Sequence, residues 1–447
     1  MIRVAVIGGG VAGITAAKEL ASKKFQVTLF EAKSTLGGKT CTFQSAIPLD
    51  LGPNWIHGDD PKHNPIVNLI SSEVQFHDFN SDKETLFDRN GETIDDPHLK
   101  GVMWEVSDAA IKYSYKNTAT IDSSSSLMDF AKTKYTDQVI LDCVTTFGNY
   151  PGIDVHDQSL KYLFLEDCCP GKTLFVKGAY NKLINVLTAS LPQSVKIITN
   201  TKVESITSNE TSALISFNNV SEHFDAVVCA LPLGSLKSNL IHISPALPKH
   251  ITQFFSQIGI GNLEKLYITF SSKFWQSELY QFPDSFASSL SAVDVIAISD
   301  DPPILSVYYS GNLAKKSQHD LGPIRTPDWD PNLAENDWHI VLRYFHKHFE
   351  AIGYSPNSHK IESIVATRWL CDPLAGYGAY PNFPTTLKDI GPLEDSKKGL
   401  PGQRLWFAGD YTGSSIAMST VTGAYSGGQN AAARIRDYFL PIDIANS

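Results

Sequence analysis

The run Ile2 to Ile7 of β-branched and small apolar residues ends on Gly8, Gly9 and Gly10, with Gly13 three positions later, and nothing else in the chain restricts the fold as strongly. Such a run reads as a strand buried on both faces of a parallel sheet. Val11 to Ala21 then sets Val11, Ile14, Ala17 and Leu20 at helical spacing, and Gln26 to Phe30 is a second strand ending at Glu31. Strand, glycine turn, helix and strand make a βαβ unit. In Gly8-x-Gly10-x-x-Gly13, two glycines let the backbone approach a pyrophosphate, the third permits close helix–sheet packing, and the helix amino terminus offers unpaired N–H groups. Glu31 stands 21 residues beyond Gly10, where its carboxylate can accept both ribose hydroxyls and disfavours a 2′-phosphate. An ADP-containing cofactor is implied.

A chain of 447 residues holds about three average domains, or two with a large insertion. Hydrophobic residues at 42% and charged residues at 19% fit a globular protein with a sizeable core. The formal charge of −10 opposes a phosphate backbone and favours a cationic small molecule, so nucleic acid is not an expected partner. Six cysteines without Cys-x-x-Cys spacing exclude a disulfide scaffold and a zinc or thioredoxin-type site; no metal is expected, the adjacent Cys168 and Cys169 read as buried thiols, and a reducing compartment follows. The start shows no basic leader with a cleavage site, and no stretch reaches the ~18 apolar residues of a membrane span. The expectation is a soluble, cytoplasmic protein with no membrane partner, in which the glycosylation-like triplets at Asn209 and Asn219 carry no meaning.

Residues 65 to 165 lack glycine punctuation and alternate apolar stripes with polar residues, which predicts a mainly helical insertion. Short strands follow at Val195–Ile198, Ala213–Phe217 and Ala226–Ala230, then at Lys265–Phe270 and Ile304–Tyr309, where a mixed sheet is expected. A loop rich in Pro and Asp lies near 321 to 336. The end repeats the opening logic, with a strand Leu405–Ala408, a turn at Gly409-Asp410, and a helix from Val421 to Tyr438 bearing small residues on one face.

Gly37-Gly38-Lys39-Thr40 resembles the Gly-Gly-Arg segment by which many FAD enzymes add donors to the pyrophosphate; Lys39 keeps the charge but loses the bidentate fork. Further segments are Asp50-x-Gly52-x-Asn54-Trp55-Ile56-His57-Gly58, Leu231-Pro232-Leu233-Gly234-x-Leu236-Lys237, Gly261-x-x-x-Lys265, Trp369 to Tyr380, and Phe407-Ala408-Gly409-Asp410 with Gly423 to Gly427. With the opening turn, these six, in this order, resemble the flavin-containing amine oxidases, and the polyamine oxidases most. Monoamine oxidases and lysine-specific histone demethylases share them.

That resemblance implies an α/β fold: a Rossmann-like FAD-binding domain from residues 1–62, 172–240 and 390–447, and an α+β substrate-binding domain, with mixed sheet and helical insertion, from 63–171 and 241–389. It assigns Gly8, Gly10, Gly13, Glu31, Gly38, Lys39, Asn54 and Trp55 to the cofactor, with Val203 at the adenine side, Gly409 and Asp410 near the ribityl and phosphate region, and Thr420, Val421 and Trp369 about the flavin. Lys265, in an apolar run where a strand lysine would ordinarily face solvent, matches the family lysine that holds a water against flavin N5, and burial would lower its pKa. Tyr380 matches one of two rings that flank the flavin in many relatives, but the second position is Thr420, a wider and more polar slot suited to a secondary or long-chain amine. Ala379 stands where monoamine oxidases carry a flavin-linked cysteine, so non-covalent FAD is expected. His57, Glu166 and Asp167 are expected to line the substrate tunnel, with Asp59 and Asp60 following His57.

The implied reaction is hydride transfer from the carbon beside a neutral amine to FAD, hydrolysis of the imine to an aldehyde and a shorter amine, and reoxidation by dioxygen to hydrogen peroxide. Lys265, His57 and Tyr380 are the residues expected to act in it. The demethylase reading is weaker, because the chain is acidic and has no room for an added amino-terminal domain or a helical tower. The alternative is a flavoprotein of the same fold that binds an apolar ligand such as a steroid, and Ala445-Asn446-Ser447 is not the Ser-Lys-Leu peroxisomal address.

Overall fold

A computed structural model describes residues 1–79, 83–318, 320 and 338–441. The expected loop at 321 to 336 and the final Ala445, Asn446 and Ser447 lie outside the described residues.

The opening strand Ile2–Ile7 pairs in parallel with Phe25–Phe30 on one side and Ala226–Cys229 on the other; Lys196–Ile198 and Leu405–Phe407 complete a five-stranded parallel sheet. Because side chains alternate along a strand, Val4 and Val6 enter one core while Ala5 and Ile7 enter the other. Both faces are covered from Val4 to Ile7, which is why that stretch is continuously apolar, while Arg3 stands half-exposed at the strand's start beside Glu222. Each fully buried Val, Leu or Phe contributes roughly 1.5–3 kcal/mol. The first core is closed by the helices Val11–Leu20 and Val421–Phe439. Gly8 has φ of +106°, a left-handed conformation, and a Cβ on Gly13 would stand 1.9 Å from the Gly8 carbonyl oxygen. Any larger residue at position 13 would push the helix off the sheet.

A second, seven-stranded sheet runs in the order Ile361–Ala366, Glu264–Phe270, Pro303–Tyr309, Val293–Asp300, Leu279–Phe282, Glu84–Phe87, Thr93–Ile94. All pairs are antiparallel except Leu279–Phe282 with Glu84–Phe87, so the expected mixed sheet is present. One face packs on the helix Trp338–Ala351 through Val341, Phe345 and Phe349. The other turns Tyr267, Tyr308, Ile296 and Leu279 towards Leu49, Phe175 and Trp369.

The segment 65 to 165 is helical over Pro65–Ile70, Pro97–Asn117, Leu127–Lys134 and Gln138–Thr145. Asp96 caps the second by accepting from the His98 N–H, and Ser126 with Asp129 forms a capping box on the third. The expectation of a mainly helical insertion needs one correction: it also supplies Phe76–His77, Glu84–Phe87 and Thr93–Ile94. The pairing of Glu84–Phe87 with Leu279–Phe282, some 200 residues later, stabilises a strand too short to be read locally. Among the described residues no helix is long and apolar enough to cross a membrane.

Candidate active site

A cavity of about 550 Å³ runs from the glycine turn of the parallel sheet to the cavity face of the seven-stranded sheet. At the first end Gly8, Gly9, Gly10, Val11 and Ala12 line it, and no side chain caps the helix that starts there. Its first-turn N–H groups are open to an anion. Glu31 is buried, with Oε2 accepting from the Gly9 N–H and Oε1 from the Lys33 N–H, both at 2.7 Å. The carboxylate is thus held beside the turn with its remaining lone pairs free for hydroxyl donors. Gly38, Lys39, Val203, Gly409 and Asp410 line the same end. Lys39 Nζ lies 3.7 Å from Asp410 Oδ2, an ion pair absent from the sequence reading. These groups fit a dinucleotide pyrophosphate and ribose.

Thr420 and Val421 bring the start of the closing helix into the wall. Thr420 is its N-cap: Oγ1 accepts from the Gly423 N–H at 3.0 Å and donates to the Ala417 carbonyl at 2.7 Å. The hydroxyl is therefore engaged with the backbone. Gly13, grouped with the cofactor residues on sequence, does not face the cavity; its position follows from the packing contact described above.

The middle of the cavity is built on the strand Glu264–Phe270. Lys265 is buried, lines the cavity, and donates through Nζ to the Asp50 carbonyl at 3.2 Å, to the Gly52 carbonyl and to Asn54 Oδ1. Its ammonium lies 4.8 Å from the centre of the Tyr308 ring. Burial drives its pKa well below the ordinary lysine value, opposed in part by Asp50, whose own carboxyl is raised by burial. Asn54 collects these contacts, since its Oδ1 also accepts from Tyr308 at 2.6 Å and from Tyr267 at 3.3 Å, while Nδ2 donates to the Val176 carbonyl at 3.1 Å. Its side chain thus serves Lys265 as well as lining the cavity. Trp369 donates from Nε1 to the Leu51 carbonyl at 3.2 Å, and Trp55 stacks edge-on to Phe175.

The far end is an aromatic and acidic chamber. Tyr380 donates to the Tyr150 carbonyl at 2.8 Å, which fixes its ring at the wall. Tyr150 Oη lies 3.4 Å from His57 Nδ1 and 2.8 Å from Cys168 Sγ. Burial lowers the His57 pKa to about 4, so its imidazole is neutral at neutral pH. Glu166 is buried, accepts from Gln158 Nε2 at 3.2 Å, and has its pKa pushed up to about 8 by burial. Asp167 is a correction: it does not line the cavity but accepts from Tyr115 Oη at 3.2 Å and from the Cys168 N–H. The turn Leu163–Glu166 ends between the two carboxylates, leaving Glu166 buried in the wall and Asp167 half-buried against Tyr115.

Sequence reasoning passed over Tyr308, Asn149, Gln281 and Asp294, all of which line the cavity. The missed signal at Asp294 was a single carboxylate inside the apolar run Ala292 to Ile298, the same kind of interruption that marked Lys265.

The family described as "Flavin containing amine oxidoreductase" matches residues 11–436. Polyamine oxidase 5 of Oryza sativa subsp. japonica is 27% identical over 295 residues, 61% of this chain and 59% of that protein. Polyamine oxidase 4 of the same plant is 23% identical over 466 residues, covering 98% of this chain and 89% of its own length. Lysine-specific histone demethylase 1 homolog 2 of Arabidopsis thaliana is 24% identical over 470 residues, 97% of this chain and 58% of that protein.

Proposed function

Because the chain belongs to the flavin containing amine oxidoreductases and its cofactor is FAD, we propose that it oxidises a polyamine or acetylated polyamine, releasing an aldehyde, a shorter amine and hydrogen peroxide. The observation that carries this reading is Lys265: a buried ammonium near the start of a strand, facing the cavity between the dinucleotide end and the acidic chamber.

FAD would lie along the cavity, its pyrophosphate on Gly8, Gly10 and the first turn of Val11–Leu20, its ribose on Glu31, its adenine side by Val203, and its flavin between Lys265, Trp369 and the Thr420-Val421 helix start. Gly38, Lys39, Gly409 and Asp410 would flank the phosphates and ribityl chain. Ala379, also in the wall, has no nucleophile to bind the flavin covalently, which favours reversible binding. We assign residues 1–62, 172–240 and 390–447 to a Rossmann-like FAD domain and 63–171 and 241–389 to the substrate domain; every strand of the parallel sheet falls in the first set and every strand of the seven-stranded sheet in the second. The six unpaired cysteines suit the cytoplasm.

When bound, FAD supplies a two-electron acceptor for the carbon beside nitrogen and a route from there to dioxygen. The rest falls to the chain. The aromatic wall of Tyr380, Tyr308 and Trp369 excludes water, which favours the neutral amine whose lone pair assists loss of the C–H bond. His57, neutral and held by Tyr150, orients the nitrogen by a hydrogen bond, and Glu166 receives a cationic part of the substrate. Lys265, poised by burial between its charged and neutral forms, can hold or release a proton at Nζ, and in its neutral form offers the nitrogen lone pair to a water O–H.

The test is anaerobic addition of spermine, spermidine, their acetylated forms and a simple monoamine to the purified holoprotein. Bleaching of the flavin by a polyamine, with peroxide on readmission of air, is expected. If no amine bleaches it while a steroid binds stoichiometrically, the protein is a binder and the oxidase reading is wrong.

A further inference from the structure

One half-buried carboxylate of the cavity wall has no part in the mechanism above. Asp294 lies in the strand Val293–Asp300 and lines the cavity with Lys265. Register places it: Lys265 is opposite Tyr308, Tyr308 opposite Asp294, and Asp294 opposite Gln281. A single rung across four adjacent strands therefore carries lysine, tyrosine, carboxylate and amide, all four lining the cavity. Neighbouring strands lie about 4.8 Å apart, so the backbones of Lys265 and Asp294 are separated by about 10 Å. Tyr308, between them, donates its hydroxyl to Asn54 and so does not satisfy the carboxylate.

The surroundings of Asp294 are polar, with the Asn149 and Gln281 side chains near enough to lower its pKa in part, but they hold no cationic partner among the described residues. Ser310 Oγ donates to Asn149 Oδ1 at 2.7 Å, which turns the Asn149 amide nitrogen to the Asp294 side, and Gln281 approaches from the next strand. Asp294 Oδ1 and Asn149 Nδ2 each lack a hydrogen bond of good geometry. Among the described residues no Lys, Arg or His pairs with Asp294, and the nearby charge is another carboxylate, Glu84, in the same cavity. Burial accordingly pushes the Asp294 pKa up to about 7. A lone carboxylate at such a position costs stability that a hydrophobic residue of similar size would not. Its electrostatic deficit is that of a missing cation, and an ammonium beside it would restore the charged form.

Resting on the amine oxidase reading, we propose that Asp294 anchors a second ammonium group of the substrate while the nitrogen undergoing oxidation lies at the Lys265 end, so that the site selects aliphatic amines with two or more cationic nitrogens over monoamines. The rung fixes the separation, and a chain of a few methylenes spans it. A monoamine of the same length would leave Asp294 unpaired and lose that contribution. Glu166 sits on the helical insertion rather than on the sheet, and it remains in place when Asp294 is altered.

The experiment compares wild type with Asp294→Asn, which keeps the side-chain size, as FAD-loaded protein. Anaerobic flavin reduction is followed with spermidine and with octylamine, alongside the flavin spectrum and FAD content. For spermidine the half-saturating concentration should rise about tenfold or more, as for truncation of one partner of a buried charge pair. Octylamine should be unaffected, with spectrum and FAD content as in wild type. Equal losses for both amines, or no change for spermidine, would overturn the assignment. Should neither amine reduce the wild-type flavin, the oxidase reading fails on its own. The anchor is then judged by calorimetric binding of spermidine: weaker binding by the variant upholds it, and equal binding, or none by wild type, removes it.

Discussion

At the buried positions of the parallel sheet every side chain is uncharged, from Val4 to Ile7, through Ala226 to Cys229, to Leu405 to Phe407, whereas the seven-stranded sheet buries Glu264 and Lys265 at the start of an interior strand and turns Asp294 into the cavity. The first sheet places its chemistry beyond the strand ends, in a glycine turn, open helix N–H groups and Glu31. The second puts it inside the strands, on side chains. Backbone donors at a helix start are positioned by the fold itself and add little strain. Charged side chains within a sheet are positioned by register and must be compensated one by one: Glu264 by Thr367 Oγ1 at 2.6 Å and the Leu370 N–H at 2.9 Å, Lys265 by Asn54 and two carbonyls, and Asp294 by nothing cationic among the described residues. Cofactor binding and substrate chemistry should therefore be separable by mutation.

Lys265→Met is the strongest way to break that separation. It removes the ammonium and keeps an unbranched chain of similar length in the cavity. Turnover, or whichever half-reaction limits it in stopped flow, should fall about a hundredfold or more, the range for a lost proton-handling group. FAD content should stay at the wild-type level, because none of the groups at the glycine turn is touched. Unchanged turnover would remove Lys265 from the mechanism, and loss of FAD would show that the two halves are not independent.

The acidic chamber gives a smaller effect with a definite sign. Glu166 has a folded pKa of about 8 against an ordinary value near 4.5, so between those values the folded protein binds more protons than the unfolded chain. Stability from this group is then present below about pH 4.5 and is lost progressively as the pH rises towards 8. Glu166→Gln cannot ionise. Denaturant unfolding of the ligand-free variant and wild type should give a difference that grows in favour of the variant across that window, by at most about 1.4 kcal/mol per pH unit. A constant difference would mean that Glu166 is not desolvated as described.

The contrast between the sheets also explains what could be read in advance. The βαβ unit is local: Gly8, Gly10, Gly13 and Glu31 lie within one short stretch, and their spacing alone gives the turn, helix and second strand. Lys265 was legible only because the spacing from Gly261 matched a family pattern; by alternation alone it would face solvent. Asp294 was visible as a lone carboxylate in an apolar run, but its neighbours were not, because they depend on three successive strand registers, none encoded within the strand. Glu166 and Asp167 could not be told apart, since the end of a short turn decides which carboxylate faces inward. The strand at Glu84 was missed for the same reason, as its parallel partner Leu279–Phe282 enters far later in the chain, and the two-residue strand at Thr93 exists only by pairing with it.

Glu31→Gln tests the other half, with the smallest expected effect. The two backbone N–H groups that fix the carboxylate both require acceptors, and glutamine has only one oxygen. Its amide nitrogen must then face the N–H of Gly9 or of Lys33, so the side chain rotates away and one ribose contact is lost with it. Hydrogen bonds to a charged group contribute about 1.5–3 kcal/mol, so FAD affinity, measured by fluorescence titration of deflavinated protein, should weaken between about tenfold and a hundredfold. The rate of flavin reduction in protein saturated with FAD should match wild type, because Lys265 and the chamber are unaltered. A variant that binds FAD as tightly as wild type would mean that the ribose does not rest on Glu31, and one that saturates but reduces slowly would show that the cofactor end sets the geometry of the substrate end.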